Sequence, residues 1–239
     1  MVLNYPKIYI ILAKLFLIMI KRIAEDILEK TEGIESIYFG GSRAYGSEKE
    51  GSDWDLFGIV NEDYDFGKES HLNRELSDSY DREINFRGIS LEELNGGEQK
   101  GVLTRHIPLN VILKSFRFWD HLTGKKYSLE DFKLDPATDE QEKKFYLNRI
   151  TKYREEAEKG DIPFLFEDYV KTVLLLIGVR QVMDNKDYTM DYERIGKRSE
   201  GDEKELASMC MRYRKTGDID KDKFFEKLDY YLSCLDQKS

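Results

Sequence analysis

Apolar residues fall at helical spacing near the start of the chain, at Ile20, Ile23, Ala24, Ile27 and Leu28, and predict an amphipathic helix that Gly33 stops. Ahead of it lies the most apolar text of the sequence, Ile8 to Ala13 and Leu15 to Ile20, broken by Lys14 and closed by Lys21-Arg22. That stretch is short for a membrane span, and no small-residue cleavage site follows Ile20. Three readings stand: a helix packed on the domain, an overlong start with Met19 as initiator, or a membrane-contact or export segment. Past Gly33 the period changes. Ser36 to Phe39 is a short β run ending in Gly40-Gly41, Trp54 to Val60 is a second, and Arg82 to Phe86 alternates polar and apolar side chains as a half-buried third strand does. The polar segment from Asn61 to Asp81 has room for a helix around His71 to Leu76. Ser90 to Leu94 opens with a capping-box pair and meets Gly96-Gly97, which predicts a short helix. Residues 102–122 follow no single period.

After Asp135-Pro136 the pattern turns helical. Four helices are expected: Asp139 to Lys159, Phe164 to Asn185, Asp202 to Lys215 and Asp220 to Leu235. The second carries Tyr169, Val170, Val173, Leu174, Ile177 and Val182, with further leucines between, and reads as the buried helix of a bundle. The expected fold class is therefore α+β: a small mixed β-sheet domain with flanking helices over residues 19–124, preceded by residues 1–18 as an apolar extension and followed by a helical domain at 138–239.

Composition narrows this further. At 239 residues, with 40% hydrophobic and 13% aromatic residues, the chain has the material for a true core. The net charge of −9 is the wrong sign for a surface that binds nucleic acid or anionic membrane throughout, so nucleic acid is disfavoured as a partner and no membrane is expected. Two cysteines, Cys210 and Cys234, stand far apart without a CxxC or Cys/His cluster, which argues against a disulfide framework or structural zinc and for the cytoplasm. His71, His106 and His121 are scattered without metal-ligand spacing and read as structural.

The chemistry concentrates in Phe39-Gly-Gly-Ser-Arg-Ala-Tyr-Gly46 and Ser52-Asp-Trp-Asp-Leu56. A strand ending in Gly-Gly-Ser turns tightly and starts a helix, so that amide groups and the Ser42 hydroxyl can hold phosphate oxygens. Asp53 and Asp55, two apart on a strand, point to one face and can share a divalent cation; burying both without one is costly. Glu83 is the candidate third acid and general base, with Asp81 as the alternative. Three acids suit two metal ions, an arrangement that serves in-line phosphoryl or nucleotidyl transfer.

These residues resemble the nucleotidyltransferases of the DNA polymerase β superfamily, in particular its minimal branch, over about residues 20–90. The resemblance implies that Gly41 and Ser42 bind nucleotide phosphates, that Asp53 and Asp55 hold Mg2+, and that Glu83 supplies the third acid. Two departures are visible: Gly40 stands where that family commonly has a hydrophobic residue, and the third acid is Glu where Asp is common. Arg43 reads equally as a phosphate contact or a surface residue. Lys171 and Arg180 could hold the triphosphate or lie on the surface, and Phe116-Arg-Phe-Trp119 could stack a base or form core. The expected activity is transfer of a nucleoside monophosphate, AMP from ATP first, to a hydroxyl of a small molecule or a protein with release of pyrophosphate, by a transferase with two Mg2+ ions. The alternative is a catalytically silent nucleotide-binding or regulatory protein on the same fold.

Overall fold

The computed structural model describes residues 5–48, 51–159 and 163–236, with side chains for 15–48, 51–156 and 166–235. It divides into two compact units, residues 1–44 with 51–136 and residues 45–50 with 137–239.

The first unit is built on a four-stranded sheet in the order β3-β2-β1-β4, comprising β1 (Ile34–Phe39), β2 (Trp54–Val60), β3 (Ile84–Ser90) and β4 (Asp120–Gly124). β1 runs antiparallel to β2 and β4, whereas β2 and β3 are parallel. A parallel pair needs a crossover. Here it is supplied by α3 (Glu69–Tyr80), the helix expected around His71 to Leu76 and found longer at both ends.

Helix α1 (Tyr5–Lys30) runs without a break through Met19 and ends before Gly33, whose φ of +79° only glycine adopts without strain. Its stripe of Ile20, Ile23, Ala24 and Ile27 is fully buried, and Phe16 packs its ring 5.6 Å from Phe39 and 4.9 Å from Trp54. From Phe16 onward this stretch thus packs on the domain. The side chains of Ile8 to Ala13 lie outside the described residues, and among the described residues no helix is long and apolar enough to cross a membrane. Under α1 and α3 one sheet face presents Ile37, Phe39, Trp54, Leu56, Ile84 and Phe86 as a common core with Leu72 and Leu76.

The stretch 102–122 that showed no single period resolves into α5 (Val102–His106), α6 (Leu109–Phe116) and edge strand β4. Seven of the eight residues of α6 are buried, Lys114 and Ser115 among them, and at about two turns it is too short for its periodicity to stand out. Phe116 and Trp119 join Tyr38 in an aromatic cluster, the core alternative for Phe116 to Trp119, while Arg117 is exposed over the Phe118 ring.

Among its described residues the second unit has five helices against the four expected: α7 (Asp139–Lys159), α8 (Pro163–Met183), α9 (Tyr192–Arg198), α10 (Gly201–Thr216) and α11 (Lys221–Asp236). The addition, α9, is two turns long, too short for periodicity to announce. It is started by Asp191, whose carboxylate accepts the N–H groups of Glu193 and Arg194. Helix α8 is apolar nearly all round, and Tyr169, Val170, Val173, Leu174 and Ile177 are essentially inaccessible at the centre of this unit's core. Residues 45–50 belong here through Ser47: its hydroxyl donates to Met190 O at 3.0 Å and accepts from Tyr192 N at 2.9 Å, and its carbonyl accepts from Arg214 Nη2 at 2.8 Å.

The capping box at Ser90 is anchored more deeply than two residues require. After β3 the chain enters α4 (Leu91–Leu94), and buried Glu93 accepts from Ser90 N at 2.8 Å, Lys100 N at 2.6 Å, Gly101 N at 3.1 Å and Thr104 Oγ1 at 2.6 Å. Burial works to raise this carboxyl, but the four donors outweigh it and hold it below the usual glutamate range. Glu93→Gln turns an acceptor oxygen into an amide facing donors, and we expect a loss of about 2 kcal/mol in unfolding free energy near pH 7. A carboxyl depressed in the folded state stabilises above its ordinary value and ceases to do so as pH falls through the lowered one. Urea titrations should therefore show the gap between wild type and E93Q closing as the pH is taken down to about 3.

Candidate nucleotidyl-transfer site

The sheet face opposite α1 carries the chemistry. Because β2 begins on buried Trp54, strand alternation turns Asp53, Asp55 and Phe57 to the other side of the sheet, all half-buried. Trp54 is fixed by more than packing. Its N–H donates to Glu83 O at 2.9 Å, and the guanidinium groups of Arg43 and Arg82 lie 5.8 and 5.2 Å from its ring centre.

Between β1 and β2 the chain makes the expected turn and a four-residue helix, α2 (Gly41–Ala44). Gly40 N donates to Asp55 O at 3.1 Å, which ties the end of β1 to the acid strand. Gly41 has φ +69°, and a Cβ placed on it would fall 1.8 Å from Asp55 Oδ2. No residue with a side chain fits there while the Asp55 carboxylate keeps its place. Gly40 is excluded from carrying a side chain for a different reason: its Cβ would meet the Phe57 ring at 2.5 Å and Trp119 at 3.0 Å, two rings that stack at 4.1 Å.

Arg43 is turned inward along its own loop. Its Nε and Nη2 donate to Ser52 O at 3.0 and 2.7 Å, and Nε also reaches Asp53 O at 3.2 Å. The side chain thus straps the backbone that presents Asp53. Ser42 stands half-buried in α2 beside it.

The expected third strand begins later than the alternation suggested. Asp81 takes the left-handed conformation at φ 51° that ends α3, and Arg82 N closes back on Ser77 O, so pairing with β2 starts at Ile84 opposite Trp54. Glu83 is exposed one residue ahead of β3, and Asp81 is exposed in the turn. Asn85, opposite Asp55 in the parallel register, is the residue of β3 that reaches the acid pair: its Nδ2 donates to Asp53 Oδ2. Among the described residues no three His, Cys, Asp or Glu side chains gather into a metal-ligating group. Lys171, on α8, pairs with Glu167 at 3.5 Å and Asp168 at 3.6 Å, and Arg180 with Asp184 at 3.1 Å.

Reasoning from the sequence missed Asn85 and the strap made by Arg43. An amide on a strand is no signal by itself; only the parallel register places it against Asp53.

Comparison with known proteins bears on the same region. Residues 22–109 match the family model described as polymerase beta, nucleotidyltransferase. No curated protein matches the chain. Among solved structures, the spectinomycin adenyltransferase AAD(9) from Enterococcus faecialis, determined with ATP and spectinomycin, superposes with a TM-score of 0.58 at 16% identity, covering 87% of this chain and 95% of that one. A toxin–antitoxin structure with AMP-PNP is a weaker likeness, with a TM-score of 0.34 at 14% identity over 58% of this chain and 90% of its own. The matched span contains the glycine turn, the acid pair and the strand that carries Asn85, and residues 22–109 are a nucleotidyltransferase domain of the polymerase β family.

Proposed function

We propose that this chain is a magnesium-dependent nucleotidyltransferase that moves AMP from ATP to the hydroxyl of a small-molecule acceptor and releases pyrophosphate. One observation carries the reading: the side-chain-less Gly41 of the turn lies directly against the carboxylate of Asp55, so the phosphate turn and the acid pair form one site. The donor set suits a hard divalent cation, since Asp53, one residue ahead of β2, and Asp55, on it, present carboxylate oxygens toward one face of the sheet. Magnesium bound there would supply Lewis-acid polarisation of the phosphoryl oxygens and offset the two carboxylate charges.

In this reading the chain's own groups divide the remaining work. The Gly41-Ser42 amides and the Ser42 hydroxyl hold triphosphate oxygens, with the Arg43 guanidinium adding positive charge beside them. Exposed Glu83, one residue ahead of β3, takes the proton of the acceptor hydroxyl as that oxygen attacks the α-phosphorus and pyrophosphate departs. The small-molecule class is favoured because the likeness to the spectinomycin enzyme spans 87% of the chain, well beyond the matched domain. The net charge of −9 weighs against an RNA acceptor.

The test is incubation of the purified chain with α-labelled ATP, GTP, CTP or UTP and Mg2+ against extract fractionated into small molecules, protein and RNA. Label from ATP should appear in the small-molecule fraction. Label confined to protein or RNA would reassign the acceptor, and label in none, with nucleotide bound, would favour a silent binding protein. Asp53→Asn and Asp55→Asn should each lower the rate on the order of a thousandfold, the equivalent of several kcal/mol of transition-state stabilisation. Gly41→Ala should match them, because its methyl displaces the Asp55 carboxylate, while the circular dichroism of the folded chain stays as in wild type.

A further inference from the structure

Asp53 is held at both ends by groups that are not acids. Its carbonyl accepts from Arg43 Nε at 3.2 Å, and its carboxylate Oδ2 accepts from the Asn85 carboxamide. The second bond is built into the sheet. Asn85 and Asp55 are direct partners in the parallel β2–β3 register, and side-chain alternation puts residue 85 on the same face as the acids. Asn85 itself is half-buried between Ile84 and Phe86, both inaccessible core residues on the opposite face, so its backbone is fixed.

The chemistry of this partner is selective. An arginine or lysine at position 85 would also grip Asp53, but by neutralising it, and so would compete with any cation for the same charge. An aspartate could not donate and would add a third negative charge. A carboxamide orients one oxygen and brings no net charge of its own. We propose that Asn85 is a positioning residue for the cation site, fixing the Asp53 carboxylate in a metal-ready orientation without placing a charge of its own beside it. The inference rests on the reading of Asp53 and Asp55 as cation ligands. It gives Asn85 a role exerted through its bond to Asp53, the way outer-shell partners tune metal ligands elsewhere.

The experiment measures binding rather than turnover. Mn2+ is titrated into the purified full chain with a non-hydrolysable ATP analogue and followed by electron paramagnetic resonance of the free ion. Wild type, Asn85→Ala and the volume-matched Asn85→Leu are compared, with nucleotide affinity in chelator and thermal melts as companions. Loss of an orienting outer-shell partner is expected to weaken Mn2+ binding about tenfold in both variants. Nucleotide affinity in chelator should be unchanged, and Asn85→Leu, which keeps the volume, should retain a cooperative melt. Wild-type Mn2+ affinity in a folded Asn85→Leu variant would overturn the assignment of Asn85 alone. Absence of Mn2+ binding by the wild-type chain would overturn the cation reading of the acid pair, and the assignment with it.

Discussion

Two carboxylates on one face of one strand repel each other, and most of what surrounds Asp53 and Asp55 can be understood as holding that arrangement in place. The strand cannot slip by a residue to separate them from their site, because a one-residue shift would bring Trp54 and Leu56 out of the core and both acids into it. Nor can the start of the strand fray easily. Trp54 is clasped by Phe16 of α1 and overlain by Arg43 and Arg82, and its N–H is tied to Glu83 O. The residue between the two acids is therefore as much a part of the site as they are, although it faces away from it.

The supporting bonds share a chemical character. Arg43 directs its charge to the carbonyls of Ser52 and Asp53, not to a carboxylate, and Asn85 meets Asp53 with a neutral amide. Asp55 is approached by a glycine. At Asp53 the local structure orients the carboxylate through an uncharged partner, an arrangement suited to a site that binds a cation.

How much of this was readable in the chain alone depends on how local each signal is. The strand-turn-strand from Ser36 to Val60 follows from short-range alternation and a glycine turn, and the strands stand where the sequence placed them, with Asp55 on β2 and Asp53 one residue ahead of it. The long buried helix α8 announced itself by its apolar run. Elements whose identity is set by tertiary surroundings did not: α6 is buried on nearly every side, β4 is an edge strand of polar composition (Asp-His-Leu-Thr-Gly), and α9 is only two turns long. Within the site the same division holds. Glu83 was expected on β3, but the left-handed turn at Asp81 delays pairing to Ile84, and the residue that meets Asp53 is Asn85, which only a parallel register could nominate.

Gly40 shows how packing beside the acid strand constrains the turn that precedes the site. The space that a hydrophobic side chain would occupy there is filled by the stacked rings of Phe57 and Trp119, one from the acid strand and the other from the residues just ahead of β4. Position 40 is consequently coupled to positions 57 and 119 as a packing triple, so that substitution histories at the three should be read jointly: a bulky residue gained at one implies a ring given up at another, with no change in what the turn binds.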